Sequence, residues 1–227
     1  MSRIDLLRNT SLFAGLPEEE LRAVAASLRA QTFAPNMVLF HKGRPGQSLY
    51  LVEAGRVRIF VLSDTGHEIT LNIHDAGECF GELALLDGMP RSAGAMTLEA
   101  TVLLSLHRDD FLDLIERHPK LARRIIELLS SRLRHATAYA EGLAFLDVPG
   151  RIAAVLLELA RRYGVETPAG IQIDLQMTQT DLATWVAASR EMVNKALGVF
   201  RELGLLRTSG HTITILDPEG LRARIVY

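Results

Sequence analysis

A chain of 227 residues, 48% of them hydrophobic, has enough apolar material for one or two packed domains and is not typical of a disordered protein. Its formal net charge of -2 gives no bulk attraction for nucleic acid, so any such binding would depend on the local placement of basic groups. The chain has no run of about 18 apolar residues and no apolar leader segment, which predicts a cytosolic protein without a membrane span.

Cysteine and histidine usage excludes several kinds of functional site. Cys79 is the only cysteine, so the chain cannot form an internal disulfide or hold an iron–sulfur cluster. No His/Cys spacing matches a zinc site, and no nucleophile–base pair is recognisable. We therefore expect no metal, no cofactor, no catalytic residue and no enzymatic activity. Cys79, between Glu78 and Phe80 in an apolar strand, is predicted to be a small core residue, and a redox role for this single thiol is the alternative.

Short helices are predicted over residues 4–30, with a turn at Leu12–Pro17 and a helix that opens with three acids from Glu18. From Gln31 the hydrophobic period becomes that of strands separated by glycine-containing turns. The predicted strands are Thr32–Phe33, Val38–Phe40, Leu49–Val52, Val57–Leu62, Glu68–Ile73 and Thr101–Leu106. Their regular spacing predicts a β-barrel or jelly roll.

One stretch between these strands, Phe80–Ala93, combines an acidic and a basic residue on a frame of small and apolar residues. Glu82 can accept a hydrogen bond from a hydroxyl, and Arg91 can hold a phosphate with its planar fork. Gly81 allows backbone N–H groups to approach an anion, and Ser92 adds a hydroxyl donor. The combination favours a ligand with a phosphate and a sugar hydroxyl. The alternative is a β-turn-β element with an incidental surface salt bridge.

A long helix is predicted from Phe111 to about Phe145, interrupted only at His118–Pro119. Along it, apolar residues recur with alternating spacings of four and three: Ala122, Ile126, Leu129, Leu133, Ala136, Ala140 and Leu143. This seam is typical of a two-stranded coiled coil and predicts a homodimer. The predicted interface residues are Ile126, Leu129, Leu133, Ala136, Ala140 and Leu143. The alternative is a helix that packs only on its own barrel.

A second pattern begins after the long helix, which should end at Leu146–Gly150. Asp147 is a suitable N-cap for a further helix, predicted over Arg151–Tyr163. The segment Gly164–Gly170 is predicted to be a loop, and Ile171–Leu175 alternates as a strand.

Two N-cap signals then lie close together. Thr178 forms a capping-box pattern with Asp181, and Ser189 follows about one short helix and a turn later, which predicts a helix-turn-helix. Two strands should add a wing to it. They are Gly204–Thr208 and Thr212–Leu216, joined by a turn at Ser209-Gly210.

The second helix of this pair places polar residues on one face: Arg190, Glu191, Asn194 and Lys195. Arginine or lysine can pair with guanine, and glutamate can accept from cytosine. The buried side is predicted to be Met192, Val193, Ala196, Leu197 and Phe200. A solvated face of mixed charge is the alternative, but the helix-turn-helix frame favours DNA binding. The predicted DNA-contacting residues are Thr178, Gln179, Ser189, Arg190, Glu191, Asn194 and Lys195.

The stretch Phe80–Ala93 resembles the phosphate-binding cassette of cyclic-nucleotide-binding domains. Both halves of the chain, in this order, resemble the catabolite activator/cyclic AMP receptor protein family (Crp/Fnr superfamily) of bacterial transcription factors. Gly142–Ala153 is similar to the hinge segment of that family, and Ser189–Val193 is similar to the start of its recognition helix.

The resemblance implies a role for each matching residue. Glu82 would bind the ribose 2′-hydroxyl, while Arg91 and Ser92 would bind the cyclic phosphate. The base would be read from the long helix by Arg132, by Leu133 and, in the other subunit's pocket, by Thr137. The ligand-binding residues expected on this basis are Gly81, Glu82, Leu83, Arg91, Ser92, Arg132, Leu133, Ala136 and Thr137.

The chain also departs from the family pattern. Ala136 stands where the founding member has a threonine that contacts the adenine amino group, so the choice of base is left open. Lys195 stands where arginine is common in the family. A contact to guanine would then be made by a single ammonium group instead of the planar guanidinium fork. Tyr163–Gly170 differs in composition from the surface that contacts RNA polymerase, the further partner that the resemblance implies.

Together these patterns predict an α+β protein: an N-terminal cyclic-nucleotide-binding β-roll (1–118), a long dimerisation helix (119–145), a hinge (146–149) and a C-terminal winged helix-turn-helix (150–227). The predicted function is that of a homodimeric, cytoplasmic transcription regulator controlled by a cyclic nucleotide, with cAMP as the favoured effector. Its predicted DNA targets are palindromic TGTGA-like sites. Alternatives are cGMP or cyclic di-GMP as effector, DNA binding independent of a ligand, and a regulatory nucleotide-binding subunit that acts on a protein partner.

Overall fold

A computed structural model describes residues 2–226. The chain forms two compact units. The first comprises the residues up to Gly66 together with Thr70–Arg134, and the second comprises His67–Ile69 together with the residues from His135 onward. Helices and mostly antiparallel strands alternate through both, which confirms the α+β class. Across residues 2–226, no helix has the length and hydropathy that a membrane crossing requires.

Two short helices begin the first unit, as predicted. The first, α1 (Arg3–Asn9), starts at a capping box between Ser2 and Asp5. The second, α2 (Glu18–Ser27), has three glutamates in its first turn, where the helix dipole stabilises acids.

Within the described part of this unit, eight strands form two four-stranded sheets. They are β1 (Arg29–Phe33), β2 (Val38–Phe40), β3 (Ser48–Ala54), β4 (Val57–Leu62), β5 (Glu68–His74), β6 (Cys79–Phe80), β7 (Gly94–Thr97) and β8 (Thr101–His107). The strand orders are β1-β8-β3-β6 and β2-β7-β4-β5, which confirms the predicted β-roll. Each of the predicted runs falls within one of these strands.

The sequence predicts β6 only as an apolar strand around Cys79, without bounds, and does not predict β7 or the short helix α3 (Leu83–Asp87) that lies between them. The first is two residues long, which is too short to show a period. The second begins with Gly94 and Ala95, which are small because the ring of Phe60 packs directly over Gly94. Tertiary packing rather than local propensity therefore places these elements.

Two apolar clusters stabilise this unit. The larger one joins α1, α2, β3 and β8 to the following helices, with Phe13, Leu104 and Phe111 among its fully buried side chains. The smaller one is built around Val52, Phe80 and Leu103. Burial of such side chains contributes about 1.5–3 kcal/mol each.

The predicted long helix is confirmed as α4 (Arg108–Arg117) followed by α5 (Pro119–Phe145). Because a proline ring cannot continue the α4 ladder, the chain breaks at His118 and Pro119 begins a new helix. Leu121 and Ile125 on the first turns of α5 are buried in the larger apolar cluster.

The second unit is a winged helix-turn-helix, as predicted. Its further elements are α6 (Val148–Tyr163), β9 (Gly164–Thr167), β10 (Gly170–Ile173), α7 (Gln179–Trp185), α8 (Arg190–Glu202), β11 (Leu206–Ser209), β12 (Thr212–Ile215) and α9 (Pro218–Arg222). The strands form one sheet in the order β11-β12-β10-β9. The predicted cap of α6 is confirmed, because the Asp147 side chain accepts from the N–H of Gly150 at 2.8 Å.

The prediction of a loop at Gly164–Gly170 is wrong. β9 and β10 form an antiparallel hairpin through this segment, and β10 ends at Ile173 rather than at Leu175. The reason is long-range, because β10 also pairs with β12, so a central place in the sheet stabilises strands whose local sequence is turn-like. The short α9 was likewise not predicted.

The buried face of α8 matches the prediction except at one position. Val193, Ala196, Leu197 and Phe200 are buried, but the predicted burial of Met192 is wrong, since this side chain is 49% exposed. The first turn of α8 is exposed throughout, so the burial of the helix begins only at Val193.

Candidate functional site

The predicted cassette is an α-helical turn held between β6 and β7. Gly81, directly after β6, has φ +83, and a Cβ at this residue would lie 2.6 Å from Nη1 of Arg91. A larger residue would therefore be strained and would displace the arginine. Gly46 serves the same purpose from the β2–β3 loop, where a Cβ would lie 2.5 Å from Nε of Arg91. These two glycines make the space that the guanidinium occupies.

Glu82 lies at the N-terminus of α3 and is fully buried. Its Oε1 accepts from Nη1 of Arg132 on α5, while Nη2 of Arg132 donates to the carbonyl of Cys79 at 2.6 Å. Oε2 of Glu82 is buried and has no hydrogen-bond partner among residues 2–226. A buried, unsatisfied carboxylate oxygen costs about 1–3 kcal/mol or more, so this atom favours a donor supplied by a ligand.

Arg91 is only 5% exposed, although it was predicted from sequence as a ligand-facing group. Nη1 donates to the carbonyl of Gly81 and Nη2 donates to that of Ser48, both at 2.7 Å. Its guanidinium carbon lies 4.3 Å from the ring centroid of Phe40. Within the described chain, the buried Nε has no hydrogen-bond partner, and burial lowers the pKa of Arg91. The fork is therefore fixed in place, with Nε–H and the second proton of each Nη still able to donate.

Below this fork, aromatic rings form a column through the barrel. Phe40 and Tyr50 stack with centroids 5.9 Å apart, Tyr50 and Phe80 at 5.3 Å, and Phe80 and His74 at 5.7 Å. His74 lies with Nδ1 3.3 Å from a carboxylate oxygen of Glu78. Burial lowers the pKa of His74, and Glu78 opposes that effect. The stacked rings thus connect the guanidinium of Arg91, over Phe40, to Phe80 at the start of the cassette.

The remaining predicted ligand residues are more exposed. Leu83 and Ser92 are exposed beside the cassette. On α5, Leu133, Ala136 and Thr137 are exposed, whereas Arg132 reaches Glu82. The structure therefore brings together the acid, the arginine of the cassette and Arg132, and leaves the other helix positions on the surface of the chain.

Sequence reasoning missed four residues of the site: Phe40, Gly46, Ser48 and Tyr50. These residues lie at least 41 positions from Arg91 in the chain. The local signal among them, Pro45-Gly46, indicates only a turn. Cys79 is buried as predicted, and burial raises the pKa of its thiol.

The predicted interface residues lie along one side of α5. Ile126 and Leu133 are 64% and 68% exposed, and Ala136, Ala140 and Leu143 are exposed as well. Leu129 differs, because it is partly buried and packs against the barrel core. Apart from Leu129, the predicted interface residues from Ile126 to Leu143 form an exposed apolar strip on the single chain, and Ala122 at the start of the seam is partly buried.

The helix-turn-helix is capped at both helices. Thr178 and Asp181 form the predicted capping box of α7, and the hydroxyl of Ser189 accepts from the N–H of Met192 at 3.2 Å at the start of α8. In the turn between them, Ala187 has φ +48, a left-handed conformation that disfavours residues with a Cβ. These caps fix the start of α8 on the surface.

The polar face of α8 is exposed as predicted. Arg190, Glu191, Asn194 and Lys195 all lie on the surface. Oδ1 of Asn194 accepts from Nε2 of Gln179 at 3.2 Å, which connects the face to the first residue of α7. The face thus carries two cations, one carboxylate and one amide.

Comparisons with known proteins identify the domain to which each site belongs. The family model of the cyclic nucleotide-binding domain matches residues 30–118, and that of the Crp-like helix-turn-helix domain matches residues 150–224. The CRP-like cAMP-activated global transcriptional regulator of Mycobacterium tuberculosis is 33% identical over 220 residues, which cover 97% of this chain and 98% of the relative. The cyclic AMP receptor protein of Thermus thermophilus is 35% identical over 211 residues, with coverage of 93% and 94%.

The chain belongs to the Crp/Fnr family of transcription regulators. Among solved structures, the cyclic di-GMP responsive global regulator CLP of Xanthomonas campestris aligns with a TM-score of 0.76 and 29% identity, over 84% of this chain and 94% of that chain. Crp/Fnr regulators are not enzymes, and they bind DNA and cyclic nucleotides, typically as dimers. This member is accordingly a cyclic-nucleotide-regulated, DNA-binding transcription regulator.

Proposed function

We propose that this Crp/Fnr regulator is a cytoplasmic homodimer controlled by cAMP, and that it binds palindromic DNA with TGTGA-like half-sites. The observation that carries the proposal is the pair of buried charged groups in the cassette, Glu82 and Arg91. Each has one buried polar atom that the described residues leave without a partner, Oε2 of Glu82 and Nε of Arg91. Two relatives named for cAMP align over 97% and 93% of the chain.

The two unsatisfied atoms differ in chemistry, and so do the ligand groups that suit them. Oε2 of Glu82 can only accept, which suits the ribose 2′-hydroxyl. Arg91 can only donate, which suits the cyclic phosphate. Gly81 has no side chain, so its backbone can approach the ligand closely between Glu82 and Arg91. Ser92 and Leu83 are exposed and complete the rim of the cassette. A cyclic ribose phosphate carries both required groups on one rigid ring.

The base end of the ligand is assigned to α5. Arg132 is held by Glu82, and Leu133, Ala136 and Thr137 follow on the next turn of the same helix. We propose that Thr137 reads the base in the partner subunit's pocket and that the strip from Ile126 to Leu143 forms the dimer interface. A methyl group at Ala136 contributes no hydrogen bond, so base selection depends on Thr137 and on shape.

The proposed mechanism is a shift of population between conformations. The nucleotide binds Glu82 and Arg91 from the barrel and meets α5, the helix that also forms the dimer seam. Ordering of α5 in turn orders the hinge at 146–149. The ordered hinge positions the two α8 helices of the dimer so that they fit successive major grooves, about 34 Å apart. Residues 1–118 then act as the sensor, 119–145 as the dimerisation helix and 150–227 as the DNA-binding domain.

Isothermal titration of the full-length protein with cAMP, cGMP, cyclic di-GMP and 2′-deoxy-cAMP tests the sensor. We expect cAMP to bind most tightly and 2′-deoxy-cAMP to bind about 10- to 150-fold more weakly, because a hydrogen bond to a charged group contributes about 1.5–3 kcal/mol. In Glu82→Gln the difference between the two ligands should shrink. Asp87→Asn is the matched control, because it makes the same change at an exposed position on α3.

No detectable binding of any cyclic nucleotide at millimolar concentration would refute the sensor and favour DNA binding independent of a ligand. Tighter binding of cyclic di-GMP than of cAMP would favour the second candidate function. That candidate is a cyclic di-GMP responsive regulator, and it is favoured by the similarity to CLP together with the alanine at position 136.

Fluorescence anisotropy with a palindromic TGTGA-containing duplex, with and without cAMP, tests the DNA half of the proposal. Binding should require cAMP and should weaken steeply as salt rises, since phosphate contacts release counterions. Equal affinity for a scrambled duplex of the same length would contradict the proposed operator.

A further inference from the structure

One hydrogen bond between the helices of the helix-turn-helix bears on how bases are read. Nε2 of Gln179, the first residue of α7, donates to Oδ1 of Asn194 on α8 at 3.2 Å. Asn194 is exposed and lies one turn after Arg190, with Lys195 beside it. A residue of one helix therefore contacts a side chain in the middle of the polar face of the other.

The bond decides which end of the Asn194 amide faces outward. With Oδ1 turned toward Gln179, the Nδ2 amine remains to meet DNA as a donor. Rotation of the Asn194 amide alone would bring its amine against the amine of Gln179, which places two donors together without an acceptor. The orientation of Asn194 therefore depends on which atom residue 179 presents.

The orientation matters because bases differ in what they offer in the major groove. Guanine offers the acceptors N7 and O6, and thymine offers O4, whereas adenine and cytosine carry donor amines at N6 and N4. A freely rotating asparagine can pair with adenine through both amide atoms. An asparagine whose oxygen is turned toward Gln179 presents its amine to the groove, which suits a base that offers only acceptors.

We propose that Gln179 is a positioning residue that presents Asn194 to the operator as a donor, so that the base contacted by Asn194 is guanine or thymine. The proposal rests on the proposed function, because it requires α8 to read the operator. Gln179 acts through Asn194 and not through a base contact of its own. Its substitution should therefore change base preference, which a merely structural role would not do.

The variant Gln179→Glu tests this directly, because glutamate has the same length but presents only acceptor oxygens. Glutamate at this position accepts from Nδ2 of Asn194, which turns the amide and leaves Oδ1 facing the DNA. Preference at the contacted position should then move about tenfold from guanine or thymine toward adenine or cytosine. The measurement is fluorescence anisotropy of the full-length, cAMP-saturated protein with duplexes in which each half-site position is changed symmetrically to every other base pair.

Two controls separate orientation from charge. Glutamate also adds a negative charge near DNA, which lowers affinity for all duplexes alike, so the readout is the ratio of affinities among duplexes. Thr180→Glu places the same charge on the next residue, which is exposed, and should lower affinity without changing any ratio. In an Asn194→Ala background, Gln179→Glu should no longer change any ratio.

The outcomes are distinct. If Arg190→Ala loses affinity for the operator but Gln179→Glu leaves every base ratio unchanged, the positioning role is overturned and the proposed function stands. If Asn194→Ala lowers affinity for all duplexes equally, Asn194 binds a phosphate and the inference is also overturned. If the wild-type protein prefers none of the duplexes, it is the proposed function that fails.

Discussion

Substitution of Arg91 by lysine separates the two roles that the structure gives this side chain. Arg91 donates to the carbonyls of Gly81 and Ser48 at once and stacks over Phe40. Its Nε–H has no hydrogen-bond partner among the described residues and can donate to a ligand. Lysine keeps the positive charge but replaces the planar fork by a single ammonium group. Lysine can therefore maintain one of the two carbonyl contacts. A single ammonium group cannot hold both carbonyls and also contact a phosphate at two points.

The expected magnitudes follow from these contacts. Loss of one hydrogen bond and of part of the stacking on Phe40 should lower the free energy of unfolding of the nucleotide-free protein by about 1–2 kcal/mol. Loss of one charge-assisted hydrogen bond to the cyclic phosphate, about 1.5–3 kcal/mol, should weaken cAMP binding about 10- to 150-fold. Nothing in the sequence indicated a structural role for Arg91. Because the side chain holds two backbone carbonyls, Arg91→Ala should cost stability as well as binding.

Urea unfolding without nucleotide and isothermal titration with cAMP measure the two effects separately. Arg44→Lys is the matched control, because Arg44 is exposed and contacts Arg91 through its backbone carbonyl, which accepts from the N–H of Arg91 at 2.8 Å. That variant should behave as wild type in both assays. If Arg91→Lys binds cAMP as tightly as wild type does, the fork is not the phosphate site and the assignment of the cassette is refuted.

Four further changes have definite expected outcomes. Ala187→Gly should raise the free energy of unfolding by about 1 kcal/mol, since glycine removes the strain of φ +48; a lower value in urea unfolding would contradict the reasoning. Wild-type stability should fall as pH drops below about 6.5, by up to about 1.4 kcal/mol per pH unit, because unfolded His74 binds a proton that the buried side chain resists; His74→Gln should flatten that dependence in urea unfolding at pH 7.5 and 5.5. Leu133→Asp should place a charge on the apolar strip and shift the protein toward monomer, and an unchanged sedimentation velocity profile would argue against the seam. Arg190→Ala should weaken operator binding by about 1–3 kcal/mol and relax one base position, as measured by anisotropy on the substituted duplexes.

The sequence predicted elements whose signals are local. Caps at Thr178 and Ser189 define the starts of two helices, and the proline at 119 defines a break, because each acts within one helical turn. The cassette was recognisable for the same reason, with its acid and base nine positions apart.

What the sequence could not predict depends on residues that are distant in the chain. The Gly164–Gly170 segment has the composition of a loop, and only its pairing through β10 to β12 makes it a hairpin. Arg91 was assigned to the ligand alone because its partner Ser48 is 43 residues away, and no pattern of spacing connects the two. Met192 shares a helical face with buried residues, but the face is buried only from Val193 onward.

The contact between Glu82 and Arg132 also joins residues that are distant in the chain, 50 positions apart. This contact connects the cassette to the long helix α5. Sequence matching assigned the two residues to opposite ends of the ligand, the ribose and the base. The structure gives Glu82 two oxygens with separate functions, since Oε1 holds the long helix through Arg132 and Oε2 is left for a donor. In the proposed complex, a ribose hydroxyl that donates to Oε2 would draw charge from the same carboxylate that anchors α5. On the proposed binding mode, we therefore expect nucleotide binding to change the strength of the contact between Glu82 and Arg132 directly.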